Sequence, residues 1–265
     1  MPSSSLYLGI VLGAIVGLLA YRAGALTAGG AVAAAIVGAT TFGLGGLAAA
    51  LLLVFFFVSS SLLTRFKAHQ KRELKLGFAK GACRDARQVW ANGGVATACV
   101  LLYAWRGSPL ALIGFIGAIA VATADTWGTE IGVLSETPPR SILTGHHVAR
   151  GASGGITALG TSAGAIGGLA IGLIGIFVVG DWRTVALGLI GGLAGATFDS
   201  LLGARWQAMY FCSNCEKPTE SHPIHHCGVE THYQRGWRWL DNDGVNFLAT
   251  WVGAGVTVAL AILLI

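Results

Sequence analysis

Apolar stretches set the rhythm of this chain. About 20 mostly apolar residues are needed for a helix to cross a bilayer. Such stretches occur at roughly 6–21, 25–44, 46–64, 88–105, 110–127, 156–179, 184–204 and 244–264. The pattern predicts an all-α fold, a polytopic membrane helical bundle of about eight transmembrane helices, forming one integral membrane domain over residues 1–265. The first two stretches are short or rich in Gly and Ala, so seven is the alternative count. No Lys or Arg precedes the first stretch and no small-x-small site follows it, so it reads as a span rather than a signal peptide. Two polar connections stand out: a basic loop at 65–87 and a Cys/His-bearing loop at 208–243.

Composition agrees. Hydrophobic residues make up 54% and charged ones 11%, against about 25% charged in soluble domains. The 40 glycines suit close helix contact in a membrane. Runs such as Gly164–Gly168–Gly172 and Gly191–Gly195 can pack spans within one chain or between chains, so a homo-oligomer stays open.

Charge orients the bundle. Lys and Arg in short loops remain on the cytoplasmic side. Placing the basic loop (Arg65, Lys67, Lys71, Arg72, Lys75, Lys80, Arg84, Arg87) inside puts 15 of the 17 basic residues inside, leaving Arg106 and Arg183 outside. Both termini then lie outside. A prokaryotic plasma membrane is the default location, with a thylakoid membrane as the alternative. The net charge of +5 calls for no nucleic-acid partner, because lipid headgroups and anionic substrates supply the counter-ions.

Ionisable groups at span ends usually face a cavity or a partner, since exposure to lipid costs several kcal/mol. Five polar segments fall at the same predicted face. They are Arg84-Asp85-Ala86-Arg87-Gln88 with Asn92; Asp125 to Glu130; Gly151 to Thr157; Asp199-Ser200 with Arg205 and Gln207; and Asp241-Asn242-Asp243 with Asn246. Topology alone brings them together at the cytosolic membrane edge.

Several carboxylates among amides and hydroxyls favour Mg²⁺, which commonly keeps one or two carboxylates and shares substrate phosphates. Asp125, Glu130, Asp199, Asp241 and Asp243 are the candidate ligands. Arg84 and Arg87 suit phosphate oxygens. A glycine-rich turn opening a helix, as Gly151, Ser153, Gly154 and Gly155 promise before span six, offers backbone N–H groups to a phosphate. Phosphate, Mg²⁺ and a membrane edge together suggest a lipid phosphate or diphosphate. The bland alternative is that each acid is an ion pair holding helices together. No G-x-x-x-x-G-K-[ST] or H-E-x-x-H occurs. Gly151–Gly155 also fits G-x-S-x-G and resembles the Gly-x-Ser-Gly of rhomboid proteases, but that chemistry needs a histidine in a later span. Every later histidine falls in the loop before span eight.

That loop carries Cys212-Ser213-Asn214-Cys215 and then His222, His225, His226, Cys227 and His232. The spacing permits a structural Zn²⁺ held by two or three Cys and one His, with Cys212, Cys215, Cys227, His222 and His226 as candidates. A solvated loop without metal is the alternative. A structural disulfide does not suit a reducing cytosol.

The motifs resemble the family once called domain of unknown function 92, which includes the phytyl-phosphate kinases and the transmembrane protein 19 group. The resembling blocks are Arg84-Asp85-Ala86-Arg87-Gln88-Val89, Ala91-Asn92-Gly93-Gly94, Ala124-Asp125-Thr126-Trp127 and Glu130 to Ser135. Pro139-Arg140, Leu143-Thr144-Gly145, Gly151 with Ser153 to Thr157, and Leu159-Gly160-Thr161 follow. Asp199 to Ala204 with Gln207, and Trp239 to Asp243 with Val245-Asn246, complete the set in order along nearly the whole chain. Ala152 departs from the Thr expected there, a change that a backbone-lined phosphate cradle tolerates.

The resemblance implies a Mg²⁺-dependent phosphotransferase, a membrane kinase acting on an isoprenyl monophosphate lipid such as phytyl phosphate. The implied donor is a nucleoside triphosphate such as CTP. On that reading of the residues, catalysis is expected to fall to Asp125, Glu130, Asp199, Arg84 and Arg87. Substrate and phosphate binding falls to Gln88, Asn92, Arg140, Thr144, Gly151, Ser153, Gly154, Gly155, Thr157, Gln207, Asn242 and Asn246. A carrier or flippase for an anionic lipid and a lipid-phosphate cytidylyltransferase remain as alternatives.

Overall fold

The computed structural model describes residues 3–74 and 83–264. Lys75 and Lys80 of the basic loop therefore lie outside the described residues. The chain folds as a helical bundle with α1 (Ser3–Arg22), α2 (Ala28–Arg65), α3 (Ala68–Leu74), α4 (Ala86–Arg106), α5 (Pro109–Gly132), α6 (Ala158–Val179), α7 (Thr184–Arg205) and α8 (Asn242–Leu263). Among the described residues, α1, α2, α5, α6, α7 and α8 are long and apolar enough to cross a membrane. The more polar start of α4 keeps it out of that group.

The second and third predicted spans form a single element, α2, of 38 residues. A straight helix of that length would extend about 57 Å. Instead Arg65 donates to the carbonyl of Ala23, just before α2 begins. The reversal occurs at Gly46, whose φ of 81° is non-helical and readily adopted by glycine. The outward half packs antiparallel on α1, where Gly13 leaves room for Ala35 and Ala39, and Gly17 for Ala31. The returning half brings Ser59 and Phe55 to Trp127 of α5. Counting α2 twice and including α4, eight helical segments traverse the bundle among the described residues.

Helix α5 is the central post. Its residues from Ala111 to Ala124 are almost continuously buried, with Phe115, Ala118, Ile119 and Ala120 fully enclosed. The glycine runs pack within the chain. Gly168 and Gly172 meet α7 at Gly188 and Thr184, and Gly164 meets Ala124. Gly191 and Gly195 admit Thr257 of α8 and Val121 of α5. A Cβ at any of these positions would collide with a neighbouring helix. The outer surface exposes large apolar side chains such as Leu8, Leu19, Leu62 and Phe177, as a lipid-facing surface requires. Exposed Trp105 and Trp182 at one end, and Trp206, Trp237 and Trp239 at the other, occupy the places where aromatic side chains mark membrane interfaces.

The ends of the bundle differ. Helices entering from one end are capped by side chains: Thr27 on Gly30, Asp85 on Gln88, Thr157 on Gly160 and Asp241 on Gly244. Of the helices entering from the other end, α5 and α7 have no side-chain cap. That far end holds Leu6 beside Gly43, and Arg183 donating to the carbonyl of Leu264 at 2.7 Å.

Two small sheets lie at the capped end, in segments expected to be loops. β1 (Arg140–Ser141) pairs antiparallel with β2 (Gly155–Ile156). β3 (Met209–Cys212), β4 (Lys217–Thr219) and β5 (Thr231–Arg235) form an antiparallel sheet in the order β4-β3-β5.

Candidate functional site

All five predicted polar segments meet in one cavity of about 930 Å³ at the capped end. Arg84, Arg87, Gln88 and Asn92 come from the entry to α4, and Asp125 and Glu130 from the end of α5. Gly151, Ser153, Gly154, Gly155 and Thr157 come from the α5–α6 connection. Asp199 and Gln207 come from α7 and the turn after it, and Asp241, Asn242, Asp243 and Asn246 from the start of α8. Helix α5 extends to Gly132, beyond the apolar stretch, so Asp125 and Glu130 are fixed on the central helix rather than on a loop.

Arg140 and Thr144 are not among the lining residues. Arg140 is exposed and donates to the carbonyl of Gly145 at 3.0 Å, and the Thr144 hydroxyl accepts from the His146 amide. Both belong to the outer arm of the β1–β2 hairpin.

The acids are divided among partners. Glu130 is buried and pairs with Lys71 at 2.8 Å, with the Thr64 hydroxyl donating to it at 3.2 Å. Lys71 is itself 2% exposed and also donates to the Leu63 carbonyl. Two charges this deeply buried need each other. Arg87 bonds Asp241 at 2.7 Å and approaches Asp243 at 3.8 Å. Asp241 also caps α8. Asp125 and Asp199 are near enough to act on one another electrostatically, and Glu220 adds to the field at Asp199. Asp199 Oδ2 is buried with no hydrogen-bond partner among the described residues. Of the five candidate ligands, Glu130 and Asp241 are engaged by basic side chains, while Asp125 and Asp199 interact with each other. Among the described residues no three carboxylates bring oxygens within 4.8 Å of one another. Like charges separate unless a cation holds them, and Lys71 and Arg87 draw the acids toward different walls.

Arg84 stands over the rings of Phe56 and Phe57, at 5.8 Å from each centroid, and reaches toward Ser61. Burial lowers its pKa while the charge of Glu130 acts in the opposite sense. Arg84, Gln88 and Asn92 also line a second, largely apolar cavity of about 70 Å³ among α1, α2 and α4, walled by Val16, Val37, Leu53 and Phe57.

The glycine turn is shaped for close approach. Gly154 adopts φ 77°, and a side chain there would strike Ala204 and the Ser200 carbonyl on α7. The turn does not open α6 directly, because β2 intervenes and Thr157 takes the capping position. The Ser153 hydroxyl donates to Gln207 Oε1, and Gln207 Nε2 donates to Glu220 Oε1, both at 2.8 Å. A serine committed to a glutamine lacks the histidine that nucleophilic catalysis would require.

Sequence reading missed Lys71, Thr64, Tyr210, Glu220 and His222 as neighbours of the site. Glu220 and His222 carried one usable signal, their position between the paired metal-ligand motifs.

Beside the cavity, Cys212, Cys215, His225 and Cys227 form a group that could hold a metal ion, their ligand atoms all within 4.8 Å of one another. His225 replaces the expected His222 and His226. It lies two residues from Cys227 in a turn closed by the Gly228 amide on the His225 carbonyl, so both side chains turn inward. His222 is instead stacked on Tyr210 with centroids 4.2 Å apart. His226 lines the polar cavity and leans on the His225 ring at 3.7 Å. The His225 hydrogen bond holds the Cys227 thiol down, to about 6, whereas burial pushes Cys215 up.

Residues 11–254 match the family described as Integral membrane protein DUF92. The chain is 31% identical to Protein PGR of Arabidopsis thaliana, over 94% of this chain and 93% of that protein. It is 39% identical over 153 residues to the uncharacterized membrane protein MJ0933 of Methanocaldococcus jannaschii, a match spanning 58% of this chain and 63% of that protein. It is 26% identical to the uncharacterized membrane protein sll0875 of Synechocystis, over 76% of this chain and 69% of that protein. No solved structure matches the chain. On the extent of these matches, the chain belongs to the DUF92 family of integral membrane proteins.

Proposed function

We propose that this protein is a membrane-embedded isoprenyl-phosphate kinase, transferring the γ-phosphoryl group of a nucleoside triphosphate to an isoprenyl monophosphate. The carrying observation is the junction of two cavities. Arg84, Gln88 and Asn92 line both a polar chamber and an apolar one between helices. An amphiphile with an anionic head and a hydrocarbon tail satisfies both sides of that junction. The motif resemblance to a family that includes the phytyl-phosphate kinases is what suggests the isoprenyl tail and a donor such as CTP.

Arg84, at the junction, holds the acceptor phosphate. Arg87 and the Ser153–Gly155 turn hold the donor, with Asp241 and Asp243 keeping Arg87 extended across the site. A Mg²⁺ fits Asp125 and Asp199, because Asp199 offers a buried oxygen without a hydrogen-bond partner and the paired charges favour a cation. When bound there, Mg²⁺ would neutralise charge on the donor phosphates. The acceptor phosphate has a second pKa of about 6, so its oxygen is anionic and needs no general base. That oxygen forms a bond to the γ-phosphorus while the β–γ bridging P–O bond breaks and the nucleoside diphosphate leaves. Catalysis is then mostly positioning and charge neutralisation. The thiol–imidazole group suits a separate, structural Zn²⁺. The distribution of basic residues supports a cytosol-facing site, in a plasma membrane for a prokaryotic source.

The test uses purified protein in lipid vesicles with Mg²⁺, a panel of isoprenyl monophosphates, and CTP labelled at either the α or the γ phosphate. Transfer of the γ label to lipid is the expected result. Transfer of the α label would establish a cytidylyltransferase, and movement of unmodified lipid phosphate across the vesicle a carrier. Either result overturns the kinase reading.

A further inference from the structure

We propose that Cys212, Cys215, His225 and Cys227 bind one Zn²⁺, and that this ion holds the extramembrane wall of the polar cavity in place.

The ligand geometry comes first. Zn–S bonds of about 2.3 Å and Zn–N bonds of about 2.0–2.1 Å place tetrahedral ligand atoms about 3.5–3.8 Å apart. Cys212 Sγ lies 3.5 Å from Cys227 Sγ, Cys215 Sγ 3.6 Å from His225 Nδ1, and His225 Nδ1 3.2 Å from Cys227 Sγ. The sulfur–sulfur separation is far from the roughly 2.05 Å of a disulfide, and a disulfide would leave Cys215 and His225 unexplained. Three soft thiols with one imidazole select Zn²⁺ over the hard cations that carboxylates favour. Four protein ligands leave no open position, which is the form of a structural rather than a catalytic zinc.

The role follows from where the ligands fall in the chain. One pair flanks the turn between β3 and β4, and the other occupies the turn at residues 225–228. Glu220, Ser221, His222 and Ile224, all lining the cavity, lie between the two pairs. Tyr210 is two positions before Cys212 on β3, so the two share a strand face; it lines the cavity and stacks on His222. Glu220 receives the Gln207 amide that also accepts from Ser153 in the glycine turn. An ion joining the two turns closes a loop whose contents form the wall. The other contacts on that segment are short strands, the Tyr210–His222 stack and a few hydrogen bonds, such as those of Thr231 to the Ser221 and Pro223 carbonyls and of Gln207 to Glu220.

The zinc assignment is independent of the phosphoryl-transfer reading, and the test needs no turnover. Metal analysis of protein purified without chelator is expected to give one zinc per chain. Replacement by Co²⁺ should yield the intense thiolate charge-transfer absorption of a tetrahedral three-sulfur site in the wild-type protein, so no substitution has to fold. Cys227→Ser and His225→Ala should reduce zinc to background. Hydrogen exchange supplies the second readout. Chelation should raise exchange in residues 207–226 at least about tenfold while α5 and α7 keep their protection. Metal-free protein with a Cys212–Cys227 disulfide by mass spectrometry would overturn the site. Bound zinc whose removal leaves exchange in 207–226 unchanged would overturn its hold on the wall.

Discussion

Around Asp125 and Asp199, carboxylates line a wide chamber in which no three bring oxygens within 4.8 Å, whereas at Cys212, Cys215, His225 and Cys227 four ligand atoms already meet that distance. The thiols sit on two tight turns pinned by a small sheet, where local geometry can fix them. The acids are spread over α5, α7 and the start of α8, and basic side chains draw some of them apart: buried Lys71 takes Glu130, and exposed Arg87 takes Asp241. A closed set of ligands suits an ion that stays. An open set suits an ion that arrives with its substrate, with phosphate oxygens filling the remaining positions. In the proposed scheme the difference separates a structural metal from a working one within a single end of the bundle.

The strongest way to break this contrast is to remove a working acid. Asp125→Asn or Asp199→Asn should lower γ-phosphoryl transfer by about 10³-fold. Zinc content and the size-exclusion profile should stay unchanged; a variant with wild-type turnover would take the metal role away from these acids. Next in size is a cost in folding. Lys71→Met leaves Glu130 without its buried ammonium and should destabilise the protein by about 3 kcal/mol, read as a lower melting temperature in detergent. An unshifted melt would mean that the pair contributes nothing.

Arg87→Ala sharpens the division among the acids. It removes the side chain that pairs with Asp241 and, in the proposed site, holds donor phosphate. KM for the triphosphate should rise about tenfold, or about 1.4 kcal/mol. A change in KM for the lipid alone would reassign this arginine to the acceptor. The smallest effects belong to Arg140→Ala and Thr144→Ala, which lie off the cavity and should change kcat/KM by less than about threefold.

The last pair shows where the sequence could mislead. Arg140 and Thr144 stand in a block that resembles the family, yet a two-residue strand turns them outward. Hydropathy located the crossing segments well because lipid imposes it residue by residue, and alternating loops then forced the five polar segments to one end. It cut α5 short at Trp127, since polarity rather than helix breaking ended the apolar stretch, and the helix runs to Gly132. It placed a break near residue 45 but not its form, a single glycine turning one long helix back on itself. Spacing gave Cys212, Cys215 and Cys227 but not His225, because the choice among three nearby histidines depends on a turn closed by Gly228. The pairing of Lys71 with Glu130, 59 residues apart, left no local trace.

The contrast between a closed and an open metal site can be read most directly by Mn²⁺ binding to purified, zinc-loaded protein, followed by paramagnetic resonance with and without nucleoside triphosphate. Weak Mn²⁺ binding alone is expected, tightened at least about tenfold by the triphosphate and lost in Asp125→Asn and Asp199→Asn. Mn²⁺ binding that ignores the triphosphate and survives both substitutions would contradict it.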